Sequence, residues 1–235
     1  NFDDAQSAVK SIFTDNEMIK ELDERGFMFS SANSINIGRL IPQVVYYWYA
    51  YCSLVRDGKI KAGDKINFTV PTGNFGNILA AWYAKRIGYF AKKMGLPVNM
   101  FICASNSNKV LYDFFRTGTY DRNREFILTV SPSMDILISS NLERLICMLT
   151  SQEETAKLMA SLAGEGKYTM TAKAEDITGE YADEDETFTA IRTMYANAGY
   201  VIDTHTAVAY ASYDKYVKET GDNTPTVIVS TASPY

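Results

Sequence analysis

An open, mostly parallel, twisted α/β sheet with helices on both faces is the fold this sequence predicts, and three observations predict it. Short apolar runs of strand character recur along the chain: INFTV (66–70), VNMFICAS (98–105), FILTVS (126–131) and TVIVS (226–230). Segments with helical spacing of apolar residues lie between the first three, each long enough for a crossover. Glycines close two of those segments, Gly95 and Gly118. Strands alternating with helices at this spacing pair in parallel, with the helices covering the sheet faces.

Taken in order, the first element is a helix over 3–24. Ala5, Val9, Ile12 and Phe13 share one face, and Asp3 or Asp4 can cap it. Phe27–Phe29 reads as a short strand before the polar turn SSANS. Residues 35–55 read as a long helix rich in Tyr and Trp, with Pro42 forcing a kink or a late start. INFTV is a strand, 77–94 a helix ended by Gly95, VNMFICAS a strand, and 109–117 a helix stopped by Gly118. FILTVS reads as a strand and 134–149 as helical. The more polar stretch 151–200 holds helices near 153–162 and 185–198. A helix over 204–218, capped by Asp203 or Thr204, precedes TVIVS and the loop TASP. The polar stretch RDGKIKAGD (56–64) is the expected subdomain boundary, dividing 1–60 from 61–235.

Composition narrows the functions. At 235 residues, 46% hydrophobic and 22% charged, the chain has the make-up of a globular domain with a sizeable core. A net charge of −5 argues against a general nucleic-acid surface. Cys52, Cys103 and Cys147 are an odd, widely spaced set, as expected of reduced thiols in a cytoplasmic setting. With one histidine and no C-x-x-C, no metal site is expected. The longest uncharged apolar stretch, 40–55, is interrupted by Pro42, Gln43 and Ser53 and is too short to span a bilayer. No signal peptide opens the chain, and without an initiator Met both ends read as cut.

Three loops carry the candidate chemistry. VPTGNFGN (70–77) leaves a strand and enters a helix. At such a point in a parallel sheet, backbone N–H groups and the helix dipole favour a phosphate. Gly73 and Gly76 permit close approach or positive φ, and Asn74 and Asn77 tolerate left-handed backbone and donate from their amides. A tight turn without ligand is the plain alternative. SSANSINIGR (30–39) places small polar residues before Arg39, whose forked guanidinium suits an anionic group; a capping box with a surface arginine is the alternative. VSTASP (229–234) sets hydroxyls at a strand end, for a ring nitrogen or carboxylate, or merely for a polar turn. His205 at a helix start reads as structural, ADEDE (182–186) as a solvated helix entry, and VVYYWYAY (44–51) as core or interface.

NFDDAQ, SANSINIGRLIPQVVYY, INFTVPTGNFGNILAAWYAKRIG, FICASNSNKVLYDFFRTGTY, SPSMDILISSNLERL, GYVIDTHTAVAY and STASPY follow one another along the chain. In these stretches it resembles the threonine synthases of the bacterial and fungal type; 151–182 carries little of the likeness. The resemblance implies a tryptophan-synthase-β-like fold, pyridoxal 5′-phosphate (PLP) fold type II, here incomplete. It also implies conversion of O-phospho-L-homoserine and water to L-threonine and phosphate. Gly73, Asn74, Phe75, Gly76 and Asn77 would cradle the cofactor phosphate, and Thr231, with Ser230 as its neighbour, would meet the pyridine nitrogen. Ser31, Asn33, Ser34, Asn36 and Arg39 would face the substrate. Residues 1–60 would be the remainder of the smaller PLP subdomain and 61–235 the large one, truncated at its C-terminus.

One departure matters. The family's Schiff-base lysine lies in an F-K-D type motif before NFDDAQ, and no F-K-D occurs here; Lys109 sits in a different motif. The chain is therefore expected to be a fragment, inactive alone, of an enzyme that acts on a small molecule and could be a homo-oligomer. A non-catalytic PLP or phosphate module, another fold-type-II lyase and a purely structural α/β domain stay open as alternatives.

Overall fold

The computed structural model describes residues 2–30, 35–90 and 95–234. Helices α1 (Phe2–Phe13), α2 (Asn16–Glu24) and α3 (Ile37–Leu40) lead through a 3₁₀ turn (Ile41–Gln43) into α4 (Val44–Arg56). Then follow β1 (Ile66–Pro71), α5 (Gly76–Phe90), β2 (Val98–Ser105), α6 (Val110–Thr117) and β3 (Thr119–Asp121). A 3₁₀ turn (Pro132–Met134) precedes α7 (Leu142–Leu149), α8 (Gln152–Glu165), β4 (Lys167–Thr169) and β5 (Ile177–Tyr181). The chain closes with α9 (Glu184–Ala198), α10 (Thr204–Thr220) and β6 (Thr226–Ile228).

The main sheet runs β5-β2-β1-β6 and every pair in it is parallel. All six residues of β1 are buried, which is why its sequence is a nearly continuous apolar run. Asn67 and Thr69 lie inside with Ile66, Phe68 and Val70. Asn67 is tolerated because its Oδ1 accepts from Met100 N–H at 3.0 Å and its Nδ2 donates to Asp222 at 2.9 Å. Helix α4 joins this core through Val44, Tyr47 and Tyr51, with the Tyr47 ring edge-on to Phe68 at 4.9 Å.

Several elements match expectation residue for residue or nearly so. VNMFICAS is β2; α6 ends at Gly118, whose φ of 79° a side chain would resist; and Asp203 caps α10 with Oδ1 on two backbone N–H groups. Pro42 does break the helix, giving the 3₁₀ turn between α3 and α4. The helix after β1 begins one residue early, at Gly76, and is described to Phe90; the rest of the expected span, 91–94, lies outside the described residues.

Other expectations fail for physical reasons. The helix over 3–24 is two helices, because Asp15 Oδ1 accepts from Glu17 and Met18 N–H and so starts a second one. Phe27–Phe29 pairs with no strand among the described residues; Phe29 instead stacks on Phe13 at 5.1 Å. FILTVS is not a strand either. Side chains take its backbone groups: Asn108 both accepts from Ile127 N–H and donates to Ile127 C=O, while Asp135 accepts from Thr129 N–H. The span 134–149 is helical only from Leu142, because Asp135 is drawn into that buried polar cluster. Strand β5 and the antiparallel pair β3–β4 were not expected.

Candidate functional site

At the carboxyl end of β1 the chain leaves Pro71 and enters α5 through Thr72–Phe75. The carbonyls of this loop are tied back into the protein. Gly73 C=O accepts from the Ser139 hydroxyl at 2.8 Å, and Asn74 C=O accepts from Asn141 N–H at 3.1 Å and Asn141 Nδ2 at 2.9 Å. The donors are not tied. Among the described residues no hydrogen bond engages the backbone N–H of Gly73, Asn74, Phe75, Gly76 or Asn77, and the first backbone bond of α5 runs from Leu79 N–H to Phe75 C=O. Gly73, Phe75 and Gly76 are nevertheless buried. Buried N–H groups without acceptors at a helix N-terminus have the chemistry to receive an anion.

The backbone freedom of the loop is not spent as the glycines alone would indicate. The positive φ, 64°, falls on Phe75, a conformation that costs about 1–2 kcal/mol in a side-chain-bearing residue. Its buried ring stacks on Phe115 at 5.8 Å and pins the turn. Gly73 serves close approach instead: a Cβ there would lie 2.6 Å from Ser133 C=O.

The loop opens on a cleft of about 270 Å³ that Arg39, Gln43, Ser133, His205 and Thr231 also line. Among the described residues no acidic side chain lines it, so no carboxylate there opposes an anion at the loop. Tyr47, whose hydroxyl is held un-ionised by burial, donates to Asn77 Oδ1 at 2.6 Å. That leaves the Asn77 amide hydrogens without an acceptor among the described residues. An adjoining hollow of about 400 Å³ shares Gln43, Asn77 and Thr231 and runs along Val227–Thr231.

Of the candidates read from sequence, Gly73, Asn74, Phe75, Gly76, Asn77, Thr231 and Arg39 come together in this cleft. Asn36 does not: its Oδ1 caps α3 at Gly38 N–H, 2.8 Å. Ser31, Asn33 and Ser34 lie outside the described residues. Ser230 lines the adjoining hollow, and its Oγ accepts from the Thr206 hydroxyl at 3.1 Å. Gln43, Ser133 and His205 were not read as site residues. For His205 the signal was present in Asp203-x-His205, since a capping aspartate two residues before a histidine can fix its ring. Lys109 does not line the cleft; its ammonium lies over the Tyr112 and Tyr181 rings at 5.1 and 4.8 Å. Among the described residues no lysine lines either hollow, and no group of three or more His, Cys, Asp or Glu could hold a metal.

No family model matches the chain. Its relatives are informative. Human threonine synthase-like 1 is 43% identical over 99% of the chain, which spans 31% of that protein. Threonine synthase of Schizosaccharomyces pombe is 36% identical over 99% of the chain and 48% of its own length. The crystal structure of PLP-bound threonine synthase from Brucella melitensis superposes with a TM-score of 0.79 at 36% identity, covering all of this chain and 47% of that one. The chain thus resembles threonine synthases from end to end, has their fold-type-II α/β architecture, and spans less than half the length of these relatives.

Proposed function

We propose that this chain carries the phosphate-holding part of a PLP site. We further propose that the whole protein converts O-phospho-L-homoserine and water to L-threonine and phosphate, a lyase step in amino-acid biosynthesis. The observation that carries the reading is the row of N–H groups from Gly73 to Asn77, unengaged among the described residues and buried at Gly73, Phe75 and Gly76, in a cleft that also holds Thr231. Such donors suit an oxyanion such as a phosphate dianion. Bound PLP supplies an electron sink for carbanion chemistry on an amino acid. The residues of this chain hold and orient it: the 73–77 loop grips the phosphate, Asn77 is set by Tyr47, and Thr231 meets the ring nitrogen. A neutral hydroxyl there leaves that nitrogen largely unprotonated. Arg39, with Ser31, Asn33 and Ser34 of the preceding segment, serves the substrate.

The lysine that fixes the cofactor's aldehyde belongs, in this reading, to a part of the protein outside these residues. Residues 1–60 then complete the smaller subdomain and 61–235 the larger. A cytoplasmic site of action fits the three free cysteines. Homo-oligomerisation, and the absence of nucleic-acid or membrane partners, belong to the same proposal.

The test is direct. This chain with PLP and O-phosphohomoserine should bind PLP yet release no phosphate, whereas a version extended upstream to include the lysine should release it. An extended protein that binds PLP and stays inert would reject the threonine synthase reading. The higher identity to threonine synthase-like 1 favours one second reading, another fold-type-II PLP lyase. A substrate series on the extended protein separates the two.

A further inference from the structure

His205 Nε2 is buried and has no hydrogen-bond partner among the described residues, and the residue lines the anion cleft. The ring is held from its other side. Nδ1 lies 3.2 Å from Asp203 Oδ1, an oxygen that also accepts the backbone N–H of His205 at 2.9 Å and of Thr206 at 3.1 Å. A carboxylate oxygen only accepts, so Nδ1 carries a hydrogen, and in the uncharged ring this tautomer leaves the lone pair on Nε2. A buried acceptor left unmade is costly, and a ligand that supplies a hydrogen recovers that cost. The same cleft holds the N–H cradle, which takes an anion. Its occupant therefore combines a phosphate with a hydrogen-bond donor.

We propose that His205 is a ligand-contacting residue of this cleft, with Nε2 receiving a hydrogen bond from a hydroxyl or ammonium group of the phosphorylated molecule that the 73–77 loop holds. The inference rests on the loop being a phosphate cradle, and it adds the second point of recognition. His205 is the only histidine in the sequence, so one imidazole signal reports it without assignment.

The experiment is a titration of the full chain, labelled with ¹⁵N in histidine and glycine, with PLP and separately with inorganic phosphate. The expected result is that both ligands move the loop glycine amides and only PLP moves the imidazole Nε2 resonance. An Nε2 signal that stays still while PLP saturates the glycine amides overturns the proposal. So does an equal Nε2 shift with inorganic phosphate, which would pair the ring with the phosphate itself. If neither the amides nor Nε2 respond to PLP, the cofactor reading fails first and this one falls with it. His205→Phe, which keeps a ring but no acceptor, should weaken PLP about tenfold, the loss of roughly one hydrogen bond, and leave inorganic phosphate binding unchanged. Equal weakening of both ligands would count against it.

Discussion

Asp222 shows how one side chain can hold several strands together. Its Oδ2 accepts from Asn67 Nδ2 at 2.9 Å, Asn99 Nδ2 at 3.2 Å and the Tyr216 hydroxyl at 2.8 Å, and its Oδ1 accepts from Thr224 N–H at 2.9 Å. Burial alone would raise its pKa, but the bonds from Thr224, Asn67 and Tyr216 outweigh it and hold the carboxyl below the usual 3.8. A carboxylate depressed in the folded state stabilises the fold above the unfolded pKa, and that stability is lost as pH falls through the folded value. The protein should therefore lose stability as the pH drops below about 4. Asp222→Asn should flatten that acid limb while lowering the midpoint at neutral pH. Urea titrations of both proteins from pH 7 to pH 2.5 would decide it; parallel curves would mean that Asp222 is not a source of the acid sensitivity. None of this was legible in sequence, because Asn67, Asn99 and the pair Tyr216 and Asp222 come from three separate stretches. The loop proposed as a phosphate cradle, by contrast, could be read from sequence, since its donors are consecutive backbone groups. His205 was half legible: its helix start could be read, but not the cleft it faces.

The junction of β1 and α5 is where element geometry meets the site. A methyl added at Gly73 would meet Ser133 C=O at 2.6 Å and Met134 Cα at 3.2 Å, both backbone atoms. The turn they belong to cannot easily yield, because Asp135, next in line, is buried with Asn106, Asn108 and Thr129 bonded to its carboxylate. Gly73→Ala should thus destabilise by about 1–3 kcal/mol and displace the cradle, weakening phosphate and PLP together. Gly164 in α8 is the matched control, with nothing within 4 Å of its would-be Cβ, and Gly164→Ala should stabilise by roughly 0.4–1 kcal/mol. Thermal melts of the pair read both signs; a Gly73→Ala protein as stable as the parent would show that the turn gives way. The same polar cluster explains where element-level reading failed. FILTVS has the apolar, β-branched content of a strand, yet Leu128 is 71% exposed and side chains hold its backbone. Strand β5 was missed for the opposite reason: ITGEY is polar, and its burial comes from lying beside β2, which local pattern does not encode.

Across the whole molecule the stabilising contacts are unevenly spread. Strands β1 and β2, α5 and α10 share fully buried residues, from Phe68 and Phe101 to Ala81 and Ala209. Helix α2 buries none of its residues, and on α1 Val9 and Ile12 are 42% and 43% exposed. Its strongest local devices are the Asp15 cap and an exposed ion pair between Arg25 and Glu21 at 2.6 Å, worth little in water. Short helices without a buried face are marginal alone. Local stability follows buried contacts, so opening free energies should differ sharply between the two regions. Hydrogen exchange should show the amides of α1 and α2 unprotected within seconds and those of β1 and β2 exchanging only on global unfolding. In urea, a probe placed in α2 should report a transition well before one in the sheet. Coincident transitions would mean that the first two helices are bound into the core by contacts stronger than their exposure allows, and would make the chain a single cooperative unit.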